Sequence, residues 1–215
     1  MAPLFGQARV HCSLDLCRGP FSLTEIMSKD KPDSLAIDGE GCRVSIIAAR
    51  YNFQMVNALL ESVMNTLGSC GVRSDDIEVF RVPGSNEIPH AAAMAAKTGS
   101  FDVVIALGLI IEGDTDHHAI IGHATAQALQ AVGINFEVPV INGIITVRNE
   151  EQAEARITGD LDRGAEFAHA ALEMAQLNEA LESRIFEDGL GPDFDDLDWP
   201  DDITEPGDNP EDWQK

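Results

Sequence analysis

Four short stretches of this 215-residue chain hold side chains whose types and spacing could do chemistry. Gly113-Asp114-Thr115-Asp116-His117 ends in an imidazole. Such a group exchanges protons near neutral pH, since its reference pKa is about 6.5. Main-chain N–H groups at a helix start attract phosphate, and Thr115 adds a hydroxyl. The alternative is plain N-capping by Asp114, Thr115 or Asp116. His118 and His123 extend the histidine set, but adjacent helical residues point about 100° apart. One ion is therefore not easily shared, and no metal is expected. Pro83-Gly84-Ser85-Asn86-Glu87 places a carboxylate where it can complement a helix dipole or grip the hydroxyls of a polyol. Tyr51, in Arg50-Tyr51-Asn52, can stack on a flat ring or pack the sheet edge. Arg156 is a surface helix residue or, with a phosphate at Thr115, its second ligand.

These stretches need elements to position them. Val44 to Ala49 is an apolar run of the kind buried on both faces of a parallel sheet. Met55, Leu59, Leu60, Val63 and Leu67 then recur at helical spacing, closed by Gly68 and Gly71. The pattern predicts strands over 77–82, 103–111 and 138–146. It predicts helices over 88–97, 119–132 (stopped by Gly133), 150–156 and 163–177. Strand and helix in alternation imply βαβ crossovers, a parallel sheet and helices on both faces. Ligands of such sheets bind beyond the carboxyl ends of the strands. The loops expected there are Arg50-Tyr51-Asn52, Pro83 to Glu87, Glu112 to His117, and Asn142 onward near the end of the fourth strand. No Walker loop and no GxGxxG follows the first strand, which argues against nucleotide and dinucleotide sites.

Composition excludes whole classes of function. The formal charge of −23 and pI near 4.3 repel a phosphate backbone, so nucleic acid is not an expected partner. Aromatics at 6% are too few for stacking platforms. No apolar run reaches the roughly 18 residues of a membrane span. Cys12, Cys17, Cys42 and Cys70 lack CxxC spacing and read as reduced thiols. With no signal-peptide pattern at the start, a cytoplasmic location is expected. The ends differ from the middle. Residues 1–34 read as a disordered N-terminal extension, in which Met27 opens a second natural start, and 35–178 as the folded domain. Residues 179–215 read as an acidic, disordered tail: from Ile185 onward there are twelve acids against Lys215 alone. The tail is a solubilising segment or a docking segment for an unknown partner.

The arrangement of Ala49-Arg50-Tyr51-Asn52, Val82-Pro83-Gly84-Ser85-Asn86-Glu87-Ile88-Pro89, Leu107-Gly108 through His117, Pro139 to Thr146, Glu151-Gln152-Ala153 to Arg156, and Arg163-Gly164 resembles the 6,7-dimethyl-8-ribityllumazine synthase family. The similarity runs over about residues 35 to 178 in family order, and Val-Pro-Gly-x-x-Glu-Ile-Pro is its most specific part. The resemblance implies a flavodoxin-like three-layer α/β/α sandwich with a central parallel four-stranded sheet. It also implies assembly into homopentamers, which in some members stack into decamers or sixty-subunit icosahedral capsids, with the site between neighbouring subunits. The implied reaction is a transferase step of riboflavin biosynthesis. It joins 5-amino-6-(D-ribitylamino)uracil to 3,4-dihydroxy-2-butanone 4-phosphate and needs no cofactor. By position, the resemblance makes His117 the proton-transfer residue. Tyr51 would stack on the pyrimidine, and Ser85, Asn86 and Glu87 would line the ribityl and ring pocket. Leu109, Ile110 and Ile111 would offer strand backbone to the uracil edge, and Asp114, Thr115 and Arg156 would hold the phosphate. Asn142 would reach in from a neighbour, and Arg163 would supply a basic group nearby. Asn86, Glu112 and Asn142 depart from common family residues, and Asp114 and Asp116 add negative charge beside the phosphate. One misplaced unit charge at ~4 Å costs a few kcal/mol at an effective dielectric near ~20. The alternatives are a shell protein of the same fold with weakened catalysis, or another flavodoxin-like binder of a flavin or a phosphosugar.

Overall fold

The computed structural model describes residues 37–159 and 161–187, all within the compact unit Ala36–Lys215. The expectations for residues 1–34, and for the acidic tail beyond Glu187, lie outside the described residues. The chain runs β1 (Val44–Ala49), α1 (Phe53–Ser69), β2 (Ile77–Val82), α2 (Ile88–Lys97), β3 (Val103–Ile111), α3 (His117–Phe136), β4 (Val140–Val147), α4 (Glu150–Ile157) and α5 (Arg163–Glu187). The four strands form one parallel sheet in the order β2-β1-β3-β4. This is the expected doubly wound α/β architecture.

Side-chain alternation along the strands builds the two helix layers. Val44, Ile46 and Ala48 of β1 pack with Leu59, Val63 and Leu67 of α1 and with Ala168, Ala171 and Leu172 of α5. Ile47 and Ala49 point the other way, toward Ile88, Ala92 and Ala96 of α2 and Leu129 and Val132 of α3. β1 and β3 are covered on both faces, as unbroken apolar runs require. Each fully buried Leu or Ile contributes about 2 kcal/mol through area removed from water. β2 is an edge strand and is half exposed.

Order and connection together locate the crevice. From β1 the chain moves outward to β2, then crosses back over β1 to β3 and continues to β4. The direction of winding reverses between β1 and β3, so the switch point of the sheet lies there, at the carboxyl ends. The amino ends are closed by a clip. Arg43 donates from its main chain to Asp102 Oδ2 (2.7 Å) and from Nη2 to Oδ1 (2.8 Å). That bond and the carboxylate charge raise the Arg43 pKa. Burial, with Asp102 adding to it, pushes the Cys42 thiol up to about 11. A cleft of about 890 Å³ at this end is lined by Asp38, Glu40, Asp102, Glu137 and Glu179, carboxylates that would repel a phosphate.

Three boundaries differ from the sequence expectation. α3 begins at His117 and passes through Gly133 to Phe136. β4 begins at Val140 and ends at Val147. α5 runs on through Glu187, so residues 179–187, assigned above to the tail, are helical. No Gly or Pro interrupts that stretch before Gly189.

Candidate active site

The loops after β1 and β2 run side by side. Arg50 N–H donates to Val82 O (2.8 Å) and Tyr51 N–H to Pro83 O (3.1 Å), which carries the strand pairing into the loops. Asn52 takes a left-handed conformation (φ 54°) ahead of α1. Its Nδ2 reaches across the switch point to donate to Leu109 O at 2.9 Å. A tight turn over Ser85–Glu87 follows β2, and the Glu87 carboxylate closes it by accepting from Gly84 N–H at 2.8 Å. A methyl group on Gly84 would lie 3.1 Å from Glu87 Oε2 and 3.3 Å from the Tyr51 ring. The main chain of Gly84 is therefore closely flanked by an aromatic face and a carboxylate, which a side chain there would push aside by a few tenths of an ångström. Tyr51 is 74% exposed. Asn86 and Glu87 are also exposed, while Ser85 is buried against Gly108 of β3.

β3 extends past its neighbour, since its last β1 pair is Ala48 with Leu107 whereas its β4 pairing continues to Ile111 with Val147. Val104 and Glu112 direct their N–H groups to the β4 side. Strand alternation then turns the main-chain groups of Leu109 and Ile111 toward β1, beyond the last β1 residue paired with β3. This edge faces the loops of Tyr51 and Glu87, and Ile110 between them is buried. The exposed loop Glu112–Asp116 leads into α3, whose first residue is the exposed His117. Asp116 occupies the N-cap position, yet no side chain caps this helix. The capping role considered for Asp114, Thr115 and Asp116 is thus not one the fold uses. The Thr115 carbonyl lies 3.2 Å from His118 Nδ1. Glu112 is drawn to Arg148 at 4.0 Å, and Asp114 and Asp116 are exposed, so solvent screens their charge.

The remaining expected residues form a second group on the β4–α4–α5 side. Asn142 is not near the end of β4. It is the third residue of that strand, paired with Ala106, and its Oδ1 accepts from Ile144 N–H at 3.1 Å. The strand continues to Val147 because Ile144, Ile145 and Val147 extend the apolar run, so the loop at its carboxyl end is Arg148-Asn149. Arg156 is half-buried on α4 and donates from Nη1 to Gln152 O at 3.0 Å. Arg163 opens α5 in an ion pair with Glu166. Among the described residues, neither arginine bonds to Thr115. One chain therefore gathers Tyr51, Ser85, Asn86, Glu87, Leu109 to Ile111, Asp114, Thr115 and His117 on three neighbouring loops, while the bonds of Asn142, Arg156 and Arg163 go to their own elements and not to those loops. Sequence reasoning missed the bridging role of Asn52. An asparagine placed between a strand and a helix, at a spot suited to positive φ, was the available signal. Among the described residues no group of three or more His, Cys, Asp and Glu is placed to hold a metal ion, and no helix is long and apolar enough to cross a membrane.

A doubly wound sheet whose polar loops converge on its switch point, with an aromatic face, a carboxylate, strand backbone extending past the β1 pairing and a histidine, defines a small-molecule-binding α/β protein of the flavodoxin-like class. Residues 41–179 match the family described as 6,7-dimethyl-8-ribityllumazine synthase. Curated relatives of that name include one from Cupriavidus necator, 40% identical over 147 residues, covering 68% of this chain and 87% of the relative. Another, from Paraburkholderia phytofirmans, is 38% identical over 146 residues, covering 68% and 85%. A third, from Burkholderia cenocepacia, is 36% identical over 146 residues, covering 68% and 84%. The chain belongs to the 6,7-dimethyl-8-ribityllumazine synthase family, and with it to the transferases of riboflavin biosynthesis.

Proposed function

We propose that the crevice between the carboxyl ends of β1 and β3 condenses 5-amino-6-(D-ribitylamino)uracil with 3,4-dihydroxy-2-butanone 4-phosphate, and that a neighbouring copy of the chain completes it. The observation that carries this reading is the pinch at Gly84. It sets a ring-stacking surface, Tyr51, beside a hydroxyl-binding carboxylate, Glu87, next to unextended strand backbone at Leu109 and Ile111. A pyrimidine bearing a polyol needs these three features together. The 5-amino nitrogen attacks the ketone and a first water leaves, phosphate is eliminated to give an enol that becomes a carbonyl, and the ribitylamino nitrogen attacks that carbonyl with loss of a second water to close the ring. Each step needs positioning and proton transfer, for which His117 stands at the mouth. The Gly113–Thr115 loop and the uncapped start of α3 suit a phosphate. The family match favours this condensation over a shell protein with weakened catalysis and over a flavin or phosphosugar binder.

Two observations support assembly of identical chains. The bonds of Asn142, Arg156 and Arg163 run to Ile144, Gln152 and Glu166 rather than to the loop cluster, which is in keeping with each serving a neighbour's crevice. In addition, α3 is apolar along most of its length yet buries only Thr125, Leu129 and Val132, while Ile120 is 64% and Ile134 78% exposed. Such a helix stays covered when copies pack together. Pentamers, alone or stacked into decamers or icosahedral shells, fit this reading. The free thiols of Cys42 and Cys70 are in keeping with a cytoplasmic, reducing setting.

The test combines lumazine formation, followed by absorbance, with the sedimentation of the purified protein. His117→Ala should lower kcat roughly ten- to hundredfold, at or below the low end for a proton-transfer group because water reaches this exposed position. Its sedimentation should match the parent. An unchanged rate, or an active monomer, would refute the reading.

A further inference from the structure

We propose that Gln152 is a positioning residue for the anion-binding guanidinium of Arg156, acting through the first turn of α4. The inference rests on the reading above, in which Arg156 holds the substrate phosphate. α4 has eight residues, and so short a helix is marginal without outside support. Ala153 and Ile157 bury one face, which fixes where the helix lies. Its first turn is fixed by Gln152, which is bonded at three points. Its main-chain N–H donates to Asn149 Oδ1 (2.9 Å), its Oε1 accepts from Arg148 N–H (3.0 Å), and its carbonyl accepts from Arg156 Nη1 (3.0 Å). The first two bonds are a variant of the capping box, with the reciprocal contact made one residue earlier than usual.

The third bond sets the direction of the arginine. Residues four apart share a helix face, and side chains lean toward the helix N-terminus. Arg156 therefore folds back over the turn of Gln152, toward the carboxyl end of β4, rather than outward from the end of α4. With Nη1 committed to the carbonyl, Nε and Nη2 make no hydrogen bond among the described residues and are free for a phosphate oxygen pair. Arg148, whose main chain Gln152 holds, also meets Glu112 beside the Gly113–Thr115 loop. The main chain at position 152 thus receives the cation, while its side-chain amide holds Arg148 and with it the first turn on which that carbonyl sits.

Gln152→Ala and the stem-preserving Gln152→Met remove only the Oε1 bond to Arg148, leaving the main-chain bonds to Asn149 and Arg156 in place. Each should raise the KM for the butanone phosphate about fivefold, the change that one lost hydrogen bond of about 1 kcal/mol converts to as the first turn of α4 loosens. The inhibition constant of inorganic phosphate should rise in parallel. Sedimentation, kcat and the KM for the pyrimidine should stay as in the parent. Gln152→Glu keeps the acceptor and should restore the KM, and adding Gln152→Ala to Arg156→Ala should change nothing further. The inference is overturned if Gln152→Met leaves the phosphate-linked constants unmoved, if both substrates' KM values rise together, or if the double variant is additive. If Arg156→Ala itself leaves the KM for the butanone phosphate alone, the phosphate role of Arg156 has failed, and the positioning role fails with it.

Discussion

Gly108→Ala tests whether the loop after β2 is seated on β3 as described. The added Cβ would stand 2.5 Å from Ser85 Oγ, 3.3 Å from Ile88 Cδ1 and 3.4 Å from Ile144 Cγ1. The first distance is about 1 Å short of ordinary contact. Ser85 is buried, so its hydroxyl has little room to rotate aside, and the turn Ser85–Glu87 must lift from the sheet. Overpacking of this kind costs about 1–3 kcal/mol. Losing a glycine from the unfolded chain returns about 0.4–1 kcal/mol. The net destabilisation is roughly 1–2 kcal/mol, or some 2–8 °C in Tm for a chain of this size. Thermal melts at fixed protein concentration read the stability, and the KM for the pyrimidine reads the turn, because Asn86 and Glu87 move with it. Adding Ser85→Ala removes the clashing oxygen and should recover most of the lost Tm. An unshifted Tm and KM in Gly108→Ala, or no recovery in the double variant, would refute the seating.

Two further predictions concern the amino end. Asp102→Ala removes the partly exposed clip to Arg43 and should cost about 1 kcal/mol in a melt while leaving both KM values unchanged, since the crevice lies at the opposite end of the sheet; a kinetic defect would contradict that separation. Cys42 holds its proton to about pH 11 in the folded chain against 9.0 unfolded, so stability should decline as pH rises from 9 to 11, and Cys42→Ala should flatten that decline in chemical denaturation; an equal slope in both proteins would refute it.

The sheet was legible because β1 and β3 are uninterrupted apolar runs bounded by polar turns, a pattern that needs no tertiary information. The limits of β2 and α2 were equally clear, since Pro83-Gly84 ends one and Ile88-Pro89 opens the other. Gly133 misled for a physical reason. It reads as a helix stop, but a Cβ there would lie 3.3 Å from Val138 O, so it serves the close packing of α3 on the chain entering β4, and the helix ends four residues later at the left-handed Glu137. The loop cluster was readable from its place after the strands. The position of Asn142 was misjudged although the predicted strand, 138–146, already ran past it: a polar Asn-Gly pair within an apolar run reads as a loop, whereas here Asn142 is the third residue of β4 and is paired with Ala106. The multiple bonds of Gln152 were hidden too, since two of them belong to its main chain, which no residue type announces.

The central place of β1 has a consequence for synthesis on the ribosome. Its partner on one side, β2, begins 33 positions later at Ile77, but the Arg43–Asp102 clip and the β3 pairing span 59 residues. Until that length has emerged, Val-Ser-Ile-Ile-Ala-Ala presents an uncharged ribbon with one open edge, the kind of segment that nascent chains share with each other. Arg43, immediately before it, then acts as a gatekeeper, a like charge on every nascent copy that discourages stacking between them until Asp102 arrives to neutralise it.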